Sequence, residues 1–113
     1  MAVFANISID QGSTFSSIIT VEGVEGLVVN LDNYTPRGQI RKTYTSLTAI
    51  NFTAAIASEE FGEIEISLTA TQTRAMKPGR YVYDVEIVDN TGVVTRVVEG
   101  QLEINPAVTQ PTT

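Results

Sequence analysis

The 113-residue chain contains no cysteine, no histidine and no tryptophan. Without cysteine there is no disulfide framework, no thiol nucleophile and no cysteine-ligated zinc. Without histidine the usual general base, the serine triad and the commonest metal ligand are gone. The lack of tryptophan weakens a sugar-stacking platform. Basic residues are scarce, seven against thirteen acidic ones, for a net charge of −6. Phosphate contact needs a basic face, so nucleic-acid binding is not expected. No apolar run approaches the roughly 20 residues that span a bilayer. The opening Met1-Ala2-Val3-Phe4-Ala5 lacks the basic and apolar regions of a secretory leader. The expectation is a chain folded in a cytoplasm, with no membrane contact, no cofactor and no enzymatic activity.

What is present is apolar alternation with a period of two, the signature of half-buried strands. Val3, Ala5, Ile7 and Ile9 alternate with Phe4, Asn6 and Ser8, and Asp10-Gln11-Gly12-Ser13 is a turn cluster. Further runs cover Thr14 to Val21, Tyr34 to Tyr44, Thr48 to Ala57, Glu63 to Ala70, Arg80 to Val88 and Val93 to Ile104. Leu27 to Val29 reads as a short edge piece. Pro36 cannot donate to a ladder and belongs near a strand start or on an edge. Gly100 suggests a bulge at Glu99-Gly100. Thr71 to Met76 breaks the alternation and reads as a helical turn or an irregular crossover.

Those runs make about seven short strands, which predicts an all-β, immunoglobulin-like antiparallel sandwich, with a small closed barrel as the competing architecture. Residues 1–105 form the sandwich domain, and 106–113, polar with two prolines, form a flexible tail. Lys77-Pro78-Gly79-Arg80-Tyr81 enters the sixth strand as the crossover of such sandwiches does. There a tyrosine often bonds back to the crossover backbone, and Tyr81 and Tyr83 are both candidates. Phe15, Phe52, Tyr81 and Tyr83 lie in alternating runs and are read as core.

Carboxylates are the only candidates for chemistry. Glu63/Glu65 and Asp84/Glu86 sit two apart on strand faces, about 7 Å, within the roughly 5–9 Å a glycosidase pair requires. The plainer reading is the wet side of amphipathic sheets, with Glu59, Glu60 and Asp89 likewise exposed. Asp84, Asp89 and Asn90 offer some oxygens for calcium but not the dense spacing of a dedicated site. Arg37, Gln39 and Arg41 share one strand face. They read either as cross-strand partners of the acidic residues or as anchors of a protein interface, where arginine is enriched. Asn6 and Ser8 mark a strand edge open to a partner. Asn6, Asn33 and Asn51 head glycosylation sequons, taken as chance matches.

Taken in order, several segments resemble a family. Asn6-Ile7-Ser8-Ile9-Asp10-Gln11-Gly12-Ser13-Thr14-Phe15 opens like small structural proteins of tailed bacteriophages, most of all those of the cyanophage myovirus type. Leu31, Tyr34 and Gln39-Ile40-Arg41-Lys42 follow in the same order, then Gly62-Glu63-Ile64-Glu65-Ile66-Ser67-Leu68. Pro78-Gly79-Arg80-Tyr81-Val82-Tyr83-Asp84-Val85 and Arg96-Val97-Val98-Glu99-Gly100-Gln101-Leu102-Glu103-Ile104 complete it. The likeness runs from Asn6 to Ile104 and is similar, more distantly, to the N-terminal domain of phage upper baseplate proteins. Glu22 to Gly26 departs from it, where an Asp/Asn-rich turn belongs. The resemblance implies a non-enzymatic virion subunit of neck, tail, baseplate or head decoration. It would dock to other virion proteins or to further copies of itself, and it supplies no catalytic residues. A carbohydrate- or receptor-binding module is the alternative.

Overall fold

The computed structural model describes residues 3–23 and 26–109. Its strands are β1 (Val3–Phe4), β2 (Ile7–Asp10), β3 (Phe15–Thr20), β4 (Thr35–Arg41), β5 (Ile50–Asn51), β6 (Thr53–Ser58), β7 (Glu63–Leu68), β8 (Gly79–Val88) and β9 (Val94–Asn105), with one helix, α1 (Ala70–Ala75). One sheet runs β1-β9-β8-β4-β5, with β2 also on β9, and the other runs β3-β7-β6. The expected sandwich is therefore present. The barrel is not, since the two sheets stay separate and β3 and β6 end the smaller one. Merging β1 with β2 and β5 with β6 recovers the expected seven runs.

Alternation fixes the core. Along β8, Tyr81, Tyr83, Val85 and Ile87 are buried, while the residues between them stay partly open. Ile40, Ile64, Ile66, Leu68, Leu102 and Ile104 complete the inner faces at essentially zero exposure. Each such side chain contributes about 1.5–3 kcal/mol through burial. Phe52 fills the middle, 6.3 Å from the Phe15 ring centre and 6.0 Å, edge-on, from that of Tyr83.

Several departures from the alternation have clear causes. The run Thr48 to Ala57 is two strands, because β5 pairs with β4 and β6 pairs with β7. The crossing residue is Phe52, whose N–H donates to the Gly38 carbonyl at 3.0 Å while its ring drops between the sheets. The N-terminal run lies parallel to β9, with Val3 opposite Val98 and Ile7 opposite Leu102, whereas the other strand pairs are antiparallel. Strand β4 ends at Arg41 rather than Tyr44, because Ser46 ties residues 43–46 into a turn, accepting from the Thr43 N–H at 3.0 Å. The bulge of β9 is at Val97, not at Glu99-Gly100: Val85 faces Val98, but Glu86 faces Arg96. Val97 and Val98 are consequently both buried.

Gly100 has a different reason to be glycine. A Cβ there would fall 2.0 Å from the Ala5 carbonyl oxygen. Ala5 is the break between β1 and β2, and its carbonyl accepts from the Tyr83 hydroxyl at 2.6 Å. Gly62 combines a φ of 66° with a close approach, since a Cβ would meet the Val29 carbonyl oxygen at 2.6 Å.

Residues 70–75 resolve as helix, opened by a capping box in which Thr69 accepts from the Gln72 N–H and Gln72 accepts from the Thr69 N–H. Thr73, the one buried polar side chain among the described residues, donates to the Ser13 carbonyl at 2.8 Å and accepts from the Gly12 N–H at 3.0 Å. Gln11 donates to the Arg74 and Met76 carbonyls at 3.2 and 3.0 Å. The β2–β3 turn is thereby pinned to the helix.

The crossover tyrosine is Tyr81, whose hydroxyl donates to the Lys77 carbonyl at 2.7 Å. Tyr81→Phe is expected to cost about 1 kcal/mol, read as a lower urea midpoint at unchanged slope.

Topology sorts the loops into two ends. The β8–β9 hairpin, residues 21–23 and 26–34 and residues 59–62 lie at one, called here the hairpin end. Helix α1, residues 42–49, the 11–14 turn and residues 106–109 lie at the other, the helix end. Of the tail, only residues 106–109 fall within the described part. There the Ala107 N–H donates to Gln11 Oε1 at 3.3 Å.

Candidate interaction surface

The outward side chains of β4, β8 and β9 form one polar face on the larger sheet. Register places them in rows across the strands: Arg37 opposite Glu86 opposite Arg96, and Asn51 opposite Gln39 opposite Asp84 opposite Glu99. Arg37 pairs with Glu86. Arg96 reaches Asp84 at 3.3 Å and Glu99 at 3.4 Å. Gln39 donates to Asn51 Oδ1 at 2.9 Å and accepts from Arg41 at 3.0 Å. Arg41 also donates to the Ser46 carbonyl at 2.6 Å, so it anchors the 42–49 loop to the strand end.

Arg37, Gln39 and Arg41 thus share one face, as the alternation requires, and each already has a partner within the chain. Exposed pairs of this kind contribute at most about 1 kcal/mol. Their plainer effect is to neutralise the face and fix its register. Beside them lies a shallow open recess of about 440 Å³, bordered by Pro36, Gln39, Asn51, Phe52 and Asp84.

Asn6 and Ser8 lie apart from this cluster, on the β2 edge. Asn6 Oδ1 accepts from the Gln101 N–H at 3.1 Å, and Ser8 accepts from Asn105 at 2.9 Å. Asn6 thereby supplies the acceptor that the broken N-terminal strand would otherwise leave missing.

The carboxylates divide between the two sheets. Glu65 sits on the outer face of the smaller one and accepts from Ser16 at 3.1 Å. Asp84 and Glu86 sit on the larger one, each matched to an arginine. Asp89 closes the β8–β9 hairpin, accepting from the Thr91 N–H and hydroxyl and from the Val93 N–H. Those hydrogen bonds, led by the Thr91 hydroxyl, hold its carboxyl below the ordinary carboxylate range. Among the described residues no three acidic groups converge as a metal site would require.

Asp84 is displaced the other way. Burial is the main cause, Arg96 opposes it, and Glu86 and Glu99 add to it. The native state then holds a proton at pH values where the unfolded chain has released it, so stability from this group falls as pH rises through the window. The window opens at the ordinary value of 3.8 and closes at the raised native one. Asp84→Asn is expected to remove this component. The melting temperature of the wild type minus that of D84N should decline as pH rises across the window.

Sequence alternation did not reveal the apolar cleft on the open side of the sandwich. It lies between the free edge of β3 and the β1–β2 edge of the facing sheet, encloses about 310 Å³, and is lined by Val3, Ile7, Ile18, Ile19, Ile66 and Val97 among others. The signal available in sequence was the charge-free run Phe15 to Val21, but its edge position depends on pairing.

Comparison with known proteins adds only coarse likeness. No family model and no curated protein matches the chain. An internalin-like protein of Listeria monocytogenes superposes with a TM-score of 0.46 at 16% identity, covering 92% of this chain and 28% of its own. A family 123 glycoside hydrolase from Clostridium perfringens, studied for glycolipid glycan hydrolysis, superposes at 0.44 with 13% identity, covering 95% of this chain and 24% of its own. This chain therefore spans about a quarter of either protein, and similarity at this level supports no functional argument.

Proposed function

We propose that the chain is a non-enzymatic structural subunit of a tailed-phage virion, of neck, tail, baseplate or head decoration, that docks to other virion proteins by accepting a strand. The observation that carries the docking mode is the free edge of β3. Phe15–Thr20 is six residues of regular strand with no charge, no proline and no bulge. Proteins that must stay apart usually blunt such an edge with one of those devices. Ile18, half exposed, stands on its outer face, and the apolar cleft lies beside it. A strand added there gains main-chain hydrogen bonds along the edge and buries apolar side chains in the cleft. The assignment to phage particles is supported by the ordered likeness of segments from Asn6 to Ile104.

Ile18→Lys tests the docking mode. The substitution places a charge on the edge without entering the core, so the isolated domain should melt within a few degrees of the wild type. Incorporation into particles should fall sharply when I18K competes with the wild type during assembly. Equal incorporation of both contradicts strand addition at β3.

A further inference from the structure

We infer that copies of this chain associate end to end, the hairpin end of one against the helix end of the next. The inference is independent of the phage reading, because it rests on how charge and apolar surface are distributed along the long axis.

Among the described residues, the loops at the hairpin end carry Glu22, Asp32, Glu59, Glu60 and Asp89 and no lysine or arginine. At the helix end the loops and α1 carry Lys42, Arg74 and Lys77 and no carboxylate. Strands β4 and β8 add Arg41 and Arg80 at that same end, against Asp10 at the close of β2 and Glu103 opposite Arg80 on β9, which leaves a positive balance. None of the hairpin-end carboxylates, nor Lys42, Arg74 or Lys77, takes part in an ion pair among the described residues. The remaining cations, Arg37 and Arg96, are paired on the sheet face. A chain with net charge −6 thus presents one end that is locally positive and one whose described loops carry only acidic charge.

Apolar side chains stand on both ends. Leu27, Phe61 and Val93 are exposed among the carboxylates, and Tyr44 and Leu47 among the cations, Leu47 at 99%. Single exposed apolar residues are ordinary, but opposed groups ringed by opposite charge fit a contact with a dry centre and a polar rim. Both ends are also held in shape. The Asp89 hydrogen bonds fix the hairpin, and Arg41, Ser46 and Lys42 fix the 42–49 loop, with Lys42 Nζ 4.6 Å from the Tyr81 ring centre.

Because the two surfaces differ, the contact is head-to-tail and propagates as an open stack or closes as a ring. The molecule measures 47 × 28 × 24 Å, so its narrow cross-section limits the contact. That area is on the order of 600 Å² a side, below the roughly 800 Å² of a standard interface. Association should accordingly be weak and dominated by charge.

Sedimentation equilibrium on the intact chain tests this at about 1 mM protein, in about 20 mM and about 0.5 M salt. The expected result is an average mass of at least twice the monomer at low salt and close to the monomer at high salt. Glu59→Lys with Glu60→Lys, and separately Lys42→Glu with Lys77→Glu, should each abolish the low-salt increase, with circular dichroism checking the fold. Mixing the two variants should restore it, since each then offers the other a complementary end. The salt series on the wild type needs no variant and stands even if a variant misfolds. A monomer at low salt, or an association that salt strengthens, overturns the inference. So does one that both charge variants leave intact and Ile18→Lys removes, which would place self-association at the β3 edge.

Discussion

Gly100→Val should destabilise the domain by about 3 kcal/mol, the upper end of what overpacking costs. A hydrogen at this position is required by the backbone opposite, not by a turn. The added Cβ would sit 2.0 Å from the Ala5 oxygen and 2.8 Å from its carbonyl carbon, and the side-chain methyls would extend further into the same space. Backbone cannot rotate aside as a side chain does, so the N-terminal strand has to lift. Lifting it breaks the Ala5 N–H bond to the Glu99 carbonyl at 2.8 Å and takes the Ala5 carbonyl from the Tyr83 hydroxyl. Tyr83 is 5% exposed, which leaves its hydroxyl without a ready solvent replacement. Urea titration measures the loss. Hydrogen exchange localises it, with the amides of Ile7 to Asp10 losing protection before those of β8. Wild-type stability in G100V would contradict the packing of Ala5 on Gly100.

Phe52→Ala should cost about 3–5 kcal/mol. The residue is 6% exposed, packs between Phe15 and Tyr83, and marks the point where the chain leaves one sheet for the other. Its ring also rests on Gly38, where an added Cβ would lie 3.0 Å from Phe52 Cδ2. The glycine and the phenylalanine are therefore complementary, and the cavity left by alanine cannot be refilled by a neighbour on β4. Phe61→Ala is the control: at 60% exposure it should shift stability by about 0.5 kcal/mol or less. The urea midpoint should fall in F52A with little change in slope. Equal effects at the two positions would contradict the assignment of Phe52 to the core.

Period-two patterning made the strands and their faces legible. Thr35 to Arg41 and Gly79 to Val88 bury the residues that alternation selects. Pairing was less legible, since a strand's neighbour is set by contacts distant in sequence. Phe52 continues the alternation on both sides, so nothing local separates β5 from β6. The parallel placement of β2 on β9 joins residues 95 apart. Gly100 drew the bulge to the wrong residue, because a glycine demanded by an approaching backbone looks like one demanded by a kink. The adjacent buried valines at 97 and 98 were the better signal. The grouping of Arg37, Gln39 and Arg41 was readable from spacing alone. Their partners Glu86, Asn51 and Ser46 were not, because only register and the loop fold bring them within reach. The separation of charge between the ends escaped for the same reason, since loops scattered along the sequence share an end only once the strands are paired.

The proposal of a virion component meets its most direct test in quantitative mass spectrometry of purified tailed-phage particles propagated from the genome that carries this gene. The expected result is the intact chain in every preparation, in fixed multicopy ratio to the other particle proteins and retained through gradient purification. Its absence from particles, with the chain recovered only from the soluble lysate, would contradict the proposal.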